Sequence, residues 1–244
     1  MNRRELYATG YYKDLAPEPR FREIVRITRK LNRTFYRLLD IGCGDGTFTV
    51  MLGEAAKAQE LFGMDIAAEA VASARTRGIQ AIQLDVDEDR FPYDDTHFDI
   101  VYSGEVIEHL FNPDRLLREI HRVLKPDGVG LISTPNLAGW PSRLALLLGY
   151  QPFPMAVSPE HESAGKLIAR GNEGQWGHIR VFTTRAFREL LDIHGFRVRH
   201  LIGCRVSVTS PLPSSLRTLL VAADRLASKV PSLASRVIAV IEKS

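Results

Sequence analysis

The sequence predicts an α/β fold built around a parallel β-sheet, and three observations predict it. Short apolar runs alternate with helix-periodic segments through the first half of the chain. The first run leads straight into a glycine turn, "GCGDG". The second and third end at Asp65 and Asp85, at the carboxyl ends of strands, where open α/β sheets bind ligands.

The elements follow in order. "FREIVRITRKLN" (21–32) is an amphipathic helix with Ile24, Ile27 and Leu31 on one side. "YRLLDIG" is strand one, and "FTVMLGEAA" after the glycine turn is a helix. "ELFGMDI" is strand two, and "AAEAVASARTRG" is a helix closed by Gly78. "IQAIQLDV" is strand three and "FDIVYSG" strand four. "NPDRLLREIHRVLKPDG" is a helix starting at Asn112-Pro113 and stopping at Pro126-Asp127-Gly128, and "VGLISTPN" is strand five. Residues 138–179 break the rhythm with a short apolar helix, "PSRLALLLG", and a long Pro/Gly-rich segment, which reads as a lid or binding loop. Regular structure resumes with "IRVFTT", the helix "RAFRELLDIHG" and a strand from Phe196. "SSLRTLLVAADRLASK" is a helix with Leu216, Leu219, Leu220, Ala223, Leu226 and Ala227 on one side, and "ASRVIAVIEKS" is the last strand.

The totals bound the class. The 244 residues suit one domain, and 45% apolar content supports a sizeable core. Cys43 and Cys204 stand far apart without CxxC spacing, which fits a reducing compartment and neither a disulfide framework nor a zinc site. "MNRRELYATG" has no apolar signal core, and no run reaches the roughly 18 apolar residues that span a bilayer. The expected location is cytoplasmic, with peripheral membrane contact as the extension. Net charge is +3, divided as −5 over residues 1–162 and +8 over 163–244. The basic third suits an anionic substrate, a nucleic acid or an acidic membrane surface, or is a solvated Arg-rich face.

In "LLDIGCGDG", Gly42, Gly44 and Gly46 let the backbone turn tightly and approach a ligand. Asp65 is placed to accept from ribose hydroxyls and Asp85 from an adenine amino group; helix capping is the alternative for each. A dinucleotide site prefers GxGxxG, and here Thr47 takes the last glycine's place. Asp45 in the turn disfavours a pyrophosphate. Asp40 and Asp45 suit a cationic ligand, which favours S-adenosylmethionine over NAD.

These stretches, with "GMDI", "QLDV", "FDIVYSGEVIEHL" and "REIHRVLKPDGVGLISTPN", resemble class I S-adenosylmethionine-dependent methyltransferases. The resemblance covers residues 35–136, and "HIRVFTTRAFRELLDIHGF" less closely. It implies a Rossmann-like, seven-stranded, mostly parallel sheet with helices on both faces, an antiparallel last strand and a lid insertion after strand five. It implies a single domain: covering helices over 1–34, a cofactor core over 35–136, a substrate lid over 137–180 and completion of the sheet over 181–244. It also implies a cofactor set of Asp40, Gly42, Cys43, Gly44, Asp65, Ile66, Asp85, Val86, Ser103 and Gly104, with Cys43 contributing backbone only. Tyr11 or Tyr12, beside Tyr7, would close over the cofactor.

After strand four, Glu105, Glu108 and His109 have i, i+3, i+4 spacing, one face of a helix if this stretch is helical. Methyl transfer to a hydroxyl needs the acceptor deprotonated, and a divalent ion lowers a bound hydroxyl's pKa. The E-x-x-E-H pattern resembles the ubiquinone-pathway O-methyltransferases, in which it binds Mg²⁺, and the small-RNA 2′-O-methyltransferases, which add a later histidine. His178 is the candidate for that histidine here, with His161 second. Three readings stand open. The first is a site for Mg²⁺ or Mn²⁺ on Glu105, Glu108, His109 and His178. The second is metal-free catalysis by Glu105 with His109 or His178 as base. In the third, acids support a helix start and a histidine packs.

Trp140, Tyr150, Phe153, Met155 and Trp176 are expected to wall an acceptor pocket or to pack the lid, and "PSRLALLLGYQPF" is expected to touch a membrane surface. The expected function is O-methylation of a small or lipid-linked metabolite. RNA 2′-O-methylation and a non-catalytic cofactor-binding partner protein are the alternatives.

Overall fold

The computed structural model describes residues 19–158, 160, 161, 163–167, 177–205 and 214–244. The expectations for Tyr7, Tyr11, Tyr12 and Trp176, and for the side chain of Leu216, fall outside these residues.

The chain runs α1 (Pro19–Lys30), β1 (Arg37–Ile41), α2 (Thr47–Ala56), β2 (Glu60–Asp65), α3 (Ala68–Thr76), β3 (Gln80–Gln83) and β4 (Phe98–Gly104). It continues with a 3₁₀ turn (Ile107–His109), α4 (Pro113–Val123), β5 (Leu124–Pro135), α5 (Trp140–Leu147), α6 (Thr184–Ile193), β6 (Phe196–Cys204), α7 (Ser214–Ala227) and β7 (Arg236–Lys243). The seven strands form one sheet in the order β3-β2-β1-β4-β5-β7-β6. β1 to β5 are mutually parallel, and β7 runs antiparallel to both β5 and β6. The predicted fold class is the observed one. Order reverses between β1 and β4, so a crevice opens at their carboxyl ends.

Period-two alternation sorts side chains to the two faces. Leu38 of β1 packs with Phe21, Ile24 and Ile27 of α1 and Phe48 and Leu52 of α2. Leu39 and Ile41 pack on the opposite side, with Leu116, Leu117 and Ile120 of α4 and Phe187 and Leu191 of α6. The central strands carry near-continuous apolar runs because both faces are covered.

Four local expectations change. α4 starts as predicted, with Asn112 Oδ1 accepting from Arg115 N at 3.2 Å and Pro113 in the first turn. It ends at Val123 instead of continuing toward Gly128, because Pro126 drives the preceding residue out of helical geometry. β5 therefore begins at Leu124, and the register jumps from Phe98↔Leu124 to Ile100↔Val129. Regular structure does not resume at "IRVFTT", which makes one parallel bridge, Phe182 to Asn136. Among the described side chains of α7 the buried one is Asp224, which accepts from Trp140 Nε1 at 3.1 Å and Ser235 Oγ at 3.2 Å. That rotation leaves Leu219 and Leu226 exposed. Finally, Glu105 to His109 do not form an α-helix. Glu105 sits at φ 58°, and only the short 3₁₀ turn follows it. Among the described residues no helix is long and apolar enough to cross a membrane.

Candidate active site

The crevice floor is built from backbone. After β1 the chain turns at Gly42 (φ 77°), where a Cβ would stand 2.6 Å from Val106 Cγ2. The amides of Gly42 and Cys43 donate to Met64 O at 2.8 and 3.0 Å, tying the turn to β2. Gly46 (φ 81°) opens α2, where a Cβ would meet Ile79 Cδ1 at 2.4 Å. The Cys43 thiol packs against Gly63, and burial pushes its pKa upward, so it is no nucleophile at neutral pH.

The aspartates divide. Asp45 accepts from Thr47 N and Oγ1 at 2.9 and 2.8 Å and pairs with Arg77 at 3.1 Å. It therefore supports the start of α2 and is not available to a cationic ligand. Asp40 is buried, with Oδ2 accepting from Thr49 Oγ1 at 2.6 Å. Its Oδ1 has no partner among the described residues, and burial raises its pKa to about 7. Asp65 is buried at the end of β2 and accepts from Gly44 N at 2.8 Å and Ala67 N at 2.9 Å. Asp85 accepts from Asp87 N at 3.0 Å. Both thus make the local turn bonds of the capping reading while standing at strand ends. Ile66 and Val86 are half-buried beside them. Ser103 is fully buried with no partner for Oγ among the described residues, and a Cβ at Gly104 would stand 1.8 Å from the Tyr102 hydroxyl.

These features suit a cationic nucleoside such as S-adenosylmethionine. A buried carboxylate oxygen seeks positive charge, a turn without Cβ atoms admits close approach, and two strand-end carboxylates can accept hydroxyl or amino hydrogens.

Beyond β4 the structure separates the two glutamates. Glu105 Oε2 accepts from Arg236 Nε of β7 at 2.7 Å, and Oε1 from Ser133 Oγ at 3.0 Å. Arg20 of α1 lies 3.7 Å from Oε1. Burial raises the Glu105 pKa, but the two guanidinium groups outweigh it and the net shift is downward. Glu105 is thus an ion-pair anchor, and it does not join the candidate group of metal-ligating side chains found among the described residues.

Glu108 does. It is buried, with Oε2 accepting from Thr134 Oγ1 at 3.1 Å. Oε1 has no hydrogen-bond partner among the described residues and lies 4.0 Å from both His109 Nε2 and His178 Nε2. Ligand atoms of Glu108, His109 and His178 fall within 4.8 Å of one another. His178 Nδ1 is 2.8 Å from the Pro154 carbonyl, which only accepts, so Nδ1 carries the hydrogen and Nε2 presents its lone pair toward Glu108. Burial lowers the His178 pKa, keeping the ring neutral. Burial, and then the charge of Glu105, raise the Glu108 pKa well above the carboxylate range. His178 reaches the site because Ile179 N and Arg180 N donate to Glu108 O at 2.8 and 2.9 Å. His161 is exposed and lies outside the cluster.

Sequence reading missed Ser133, Thr134, Arg236 and the Pro154 carbonyl. Arg236 left one signal: a charged residue opening an otherwise apolar strand, "RVIAVI". In the lid, Trp140 is turned toward α7 by its bond to Asp224, and Tyr150 is exposed. Phe153 and Met155 are half-buried on either side of Pro154.

Comparison with known proteins agrees with this architecture. A family model described as "Methyltransferase domain" matches residues 13–201. A "probable S-adenosylmethionine-dependent methyltransferase" of Mycolicibacterium smegmatis is 33% identical over 166 residues, covering 68% of this chain and 54% of that relative. The demethylmenaquinone methyltransferase of Lactobacillus johnsonii is 32% identical over 124 residues, 47% of this chain and 49% of that one. The chain thus spans about half the length of these curated relatives. A methyltransferase structure from Thermotoga maritima, titled as a possible histamine N-methyltransferase, shares the fold at TM-score 0.61 and 17% identity, covering 92% of this chain and 89% of that one. With the family match extending over more than half its length, the chain belongs to the methyltransferase-domain family.

Proposed function

We propose that the protein transfers a methyl group from S-adenosylmethionine to a hydroxyl oxygen of a small or lipid-linked acceptor. The observation that carries this reading is the convergence of Glu108, His109 and His178 just beyond the carboxyl end of β4. The resemblance to a demethylmenaquinone methyltransferase favours a small quinone-type acceptor.

In the reaction the acceptor oxygen attacks the methyl carbon, the C–S bond breaks, and the sulfonium becomes a neutral thioether. The acceptor's proton must leave. His178 is held neutral with its Nε2 lone pair directed into the site, so it can take that proton; Pro154 fixes the tautomer. The Glu108 carboxyl lies 4.0 Å from that nitrogen, so positive charge arriving on the ring favours its ionised form. Thr134 holds the carboxylate in place, and Arg236 removes Glu105 from competition.

The same three side chains fit a divalent cation, because two imidazole nitrogens and a carboxyl oxygen without a hydrogen-bond partner among the described residues face one another. When bound, a cation would lower the pKa of an acceptor hydroxyl. Two imidazoles and one carboxylate suit Mn²⁺, Fe²⁺ or Zn²⁺ better than Mg²⁺, which prefers an all-oxygen shell.

The test is transfer from methyl-labelled S-adenosylmethionine to a panel of polyprenylated phenols, soluble catechols and short RNA, with and without chelator. Label on a phenol oxygen, lost in Glu108→Gln, supports the reading. Label on RNA alone, or none on any acceptor by a protein that binds the cofactor, overturns it. Loss of activity with chelator, restored by Mn²⁺, selects the metal-assisted form; indifference to chelator selects His178 as base.

A further inference from the structure

We propose that Asp87 is a positioning residue that ties the acceptor end of the crevice to its adenine end, so that a bound cofactor holds the His178 segment in place. The inference rests on the reading of the crevice as a nucleoside pocket, and its test requires no methyl transfer.

The path starts at a closed loop. After β3 the Asp85 carbonyl accepts from Glu88 N and Asp89 N at 3.1 and 2.8 Å, and Asp85 N donates to Asp89 Oδ2 at 3.0 Å. Asp85 Oδ1 accepts from Asp87 N, so the candidate adenine-binding carboxylate and Asp87 share one turn. The Asp87 side chain then reaches out of the loop. Its Oδ2 accepts from Phe111 N at 2.8 Å and its Oδ1 from Asn112 N at 2.9 Å. One carboxylate thus takes two consecutive amides, 24 and 25 positions away, in charge-assisted bonds.

From Phe111 the path continues to His178. Phe111 O accepts from Arg180 Nη2 at 2.8 Å, and Glu108 O accepts from Ile179 N and Arg180 N at 2.8 and 2.9 Å. The strap carrying His178 therefore grips residues 108–111 at both ends, while Asp87 grips 111–112 from the cofactor side. This segment depends on such clamps. Between β4 and α4 the chain has one short 3₁₀ turn, entered through the left-handed Glu105. Buried Ile107 and Leu110 root it in the core cluster on which Val86 also packs. Asp87 supports the start of α4 as well, since Asn112 is its cap residue and a helix N-terminus favours a carboxylate. Helix support alone would need neither the turn shared with Asp85 nor the Arg180 bond to the same residue, Phe111. A ligand that quiets the Asp85 turn lowers the cost of ordering what is tied to it, and such coupling between two ends is reciprocal.

The experiment is residue-resolved amide hydrogen exchange on the full chain, with and without saturating S-adenosylhomocysteine. In wild type the nucleoside is expected to slow exchange of the Ile179 and Arg180 amides at least about tenfold. Asp87→Ala should still bind it, because the Asp87 amide that bonds Asp85 is backbone, but the slowing at 179 and 180 should shrink to less than about twofold. Arg180→Ala cuts the path one step later: slowing should persist at Phe111 and Asn112 and be lost at Ile179. Arg180 is exposed, so this second variant keeps the fold; if Asp87→Ala exchanges faster throughout the core, Arg180→Ala decides by the same criterion. Equal slowing at Ile179 in wild type and in the deciding variant overturns the proposal. So does faster exchange in Asp87→Ala confined to Phe111 and Asn112, which would leave Asp87 as support for α4 alone. Binding by wild type without any response at 179 and 180 overturns the coupling and leaves the methyltransferase reading standing, whereas failure of wild type to bind the nucleoside overturns both.

Discussion

The two ends of the crevice are built differently. The cofactor end is local: the turn after β1 and the ends of β2 and β3 supply it, largely as backbone shape and strand-end carboxylates. The acceptor end is assembled from afar: Glu108 follows β4, His178 follows the lid, Thr134 belongs to β5 and Arg236 to β7. The contrast is sharpest in Glu105 and Glu108. Both are withdrawn from solvent, but one carries two guanidinium neighbours and the other an oxygen that has no hydrogen-bond partner among the described residues and faces two imidazoles. A glutamate's neighbours from distant strands, more than its own spacing, decide whether it is structural or reactive.

The strongest way to break the comparison is at Arg236. Arg236→Ala leaves Glu105 charged and largely buried, so urea denaturation should show a loss of about 3 to 5 kcal/mol. A loss below about 1 kcal/mol would mean that the pair is a surface contact in solution. Glu108→Gln should act in the opposite sense. Activity should fall about a hundredfold or more, while stability holds, because burial and the charge of Glu105 already favour the uncharged form of Glu108, which glutamine resembles. Equal loss of stability in both variants would erase the distinction.

Asp40 offers a pH test. Its folded pKa of about 7 lies above the unfolded value, so the native state binds the proton more tightly. The stability this proton confers is full at low pH and is lost as pH rises from about 4 through about 7. Relative to Asp40→Asn, wild type should lose at least about 1.4 kcal/mol across that window. A saturating cationic cofactor should reduce the loss. Parallel pH curves for the two proteins would contradict this reading.

The difference in construction also explains what the sequence disclosed. Strand and helix periodicity is local, so β1 to β5, the glycine turn, and Asp65 and Asp85 could be read before any contact was known. The i, i+3, i+4 spacing of Glu105, Glu108 and His109 misled because it presumes a helix, and a left-handed backbone at Glu105 prevents one. Nothing local marks that residue; its conformation is held by Ser133 and Arg236, 28 and 131 positions away. His178 was legible only through family resemblance. The Pro154 carbonyl that fixes its tautomer was not legible at all, since a backbone acceptor leaves no trace in residue type. α7 misled for a related reason: buried Asp224 outranks a leucine stripe once Trp140 and Ser235 satisfy it.

The central claim is that a sulfonium nucleoside occupies the crevice at the ends of β1 to β4. Equilibrium binding of S-adenosylmethionine to the full chain and to Asp65→Ala tests it most directly. Saturable binding by wild type, weakened at least about tenfold in the variant by loss of charge-assisted hydrogen bonds, is the predicted result. No binding by wild type, or equal affinity in both proteins, would contradict it.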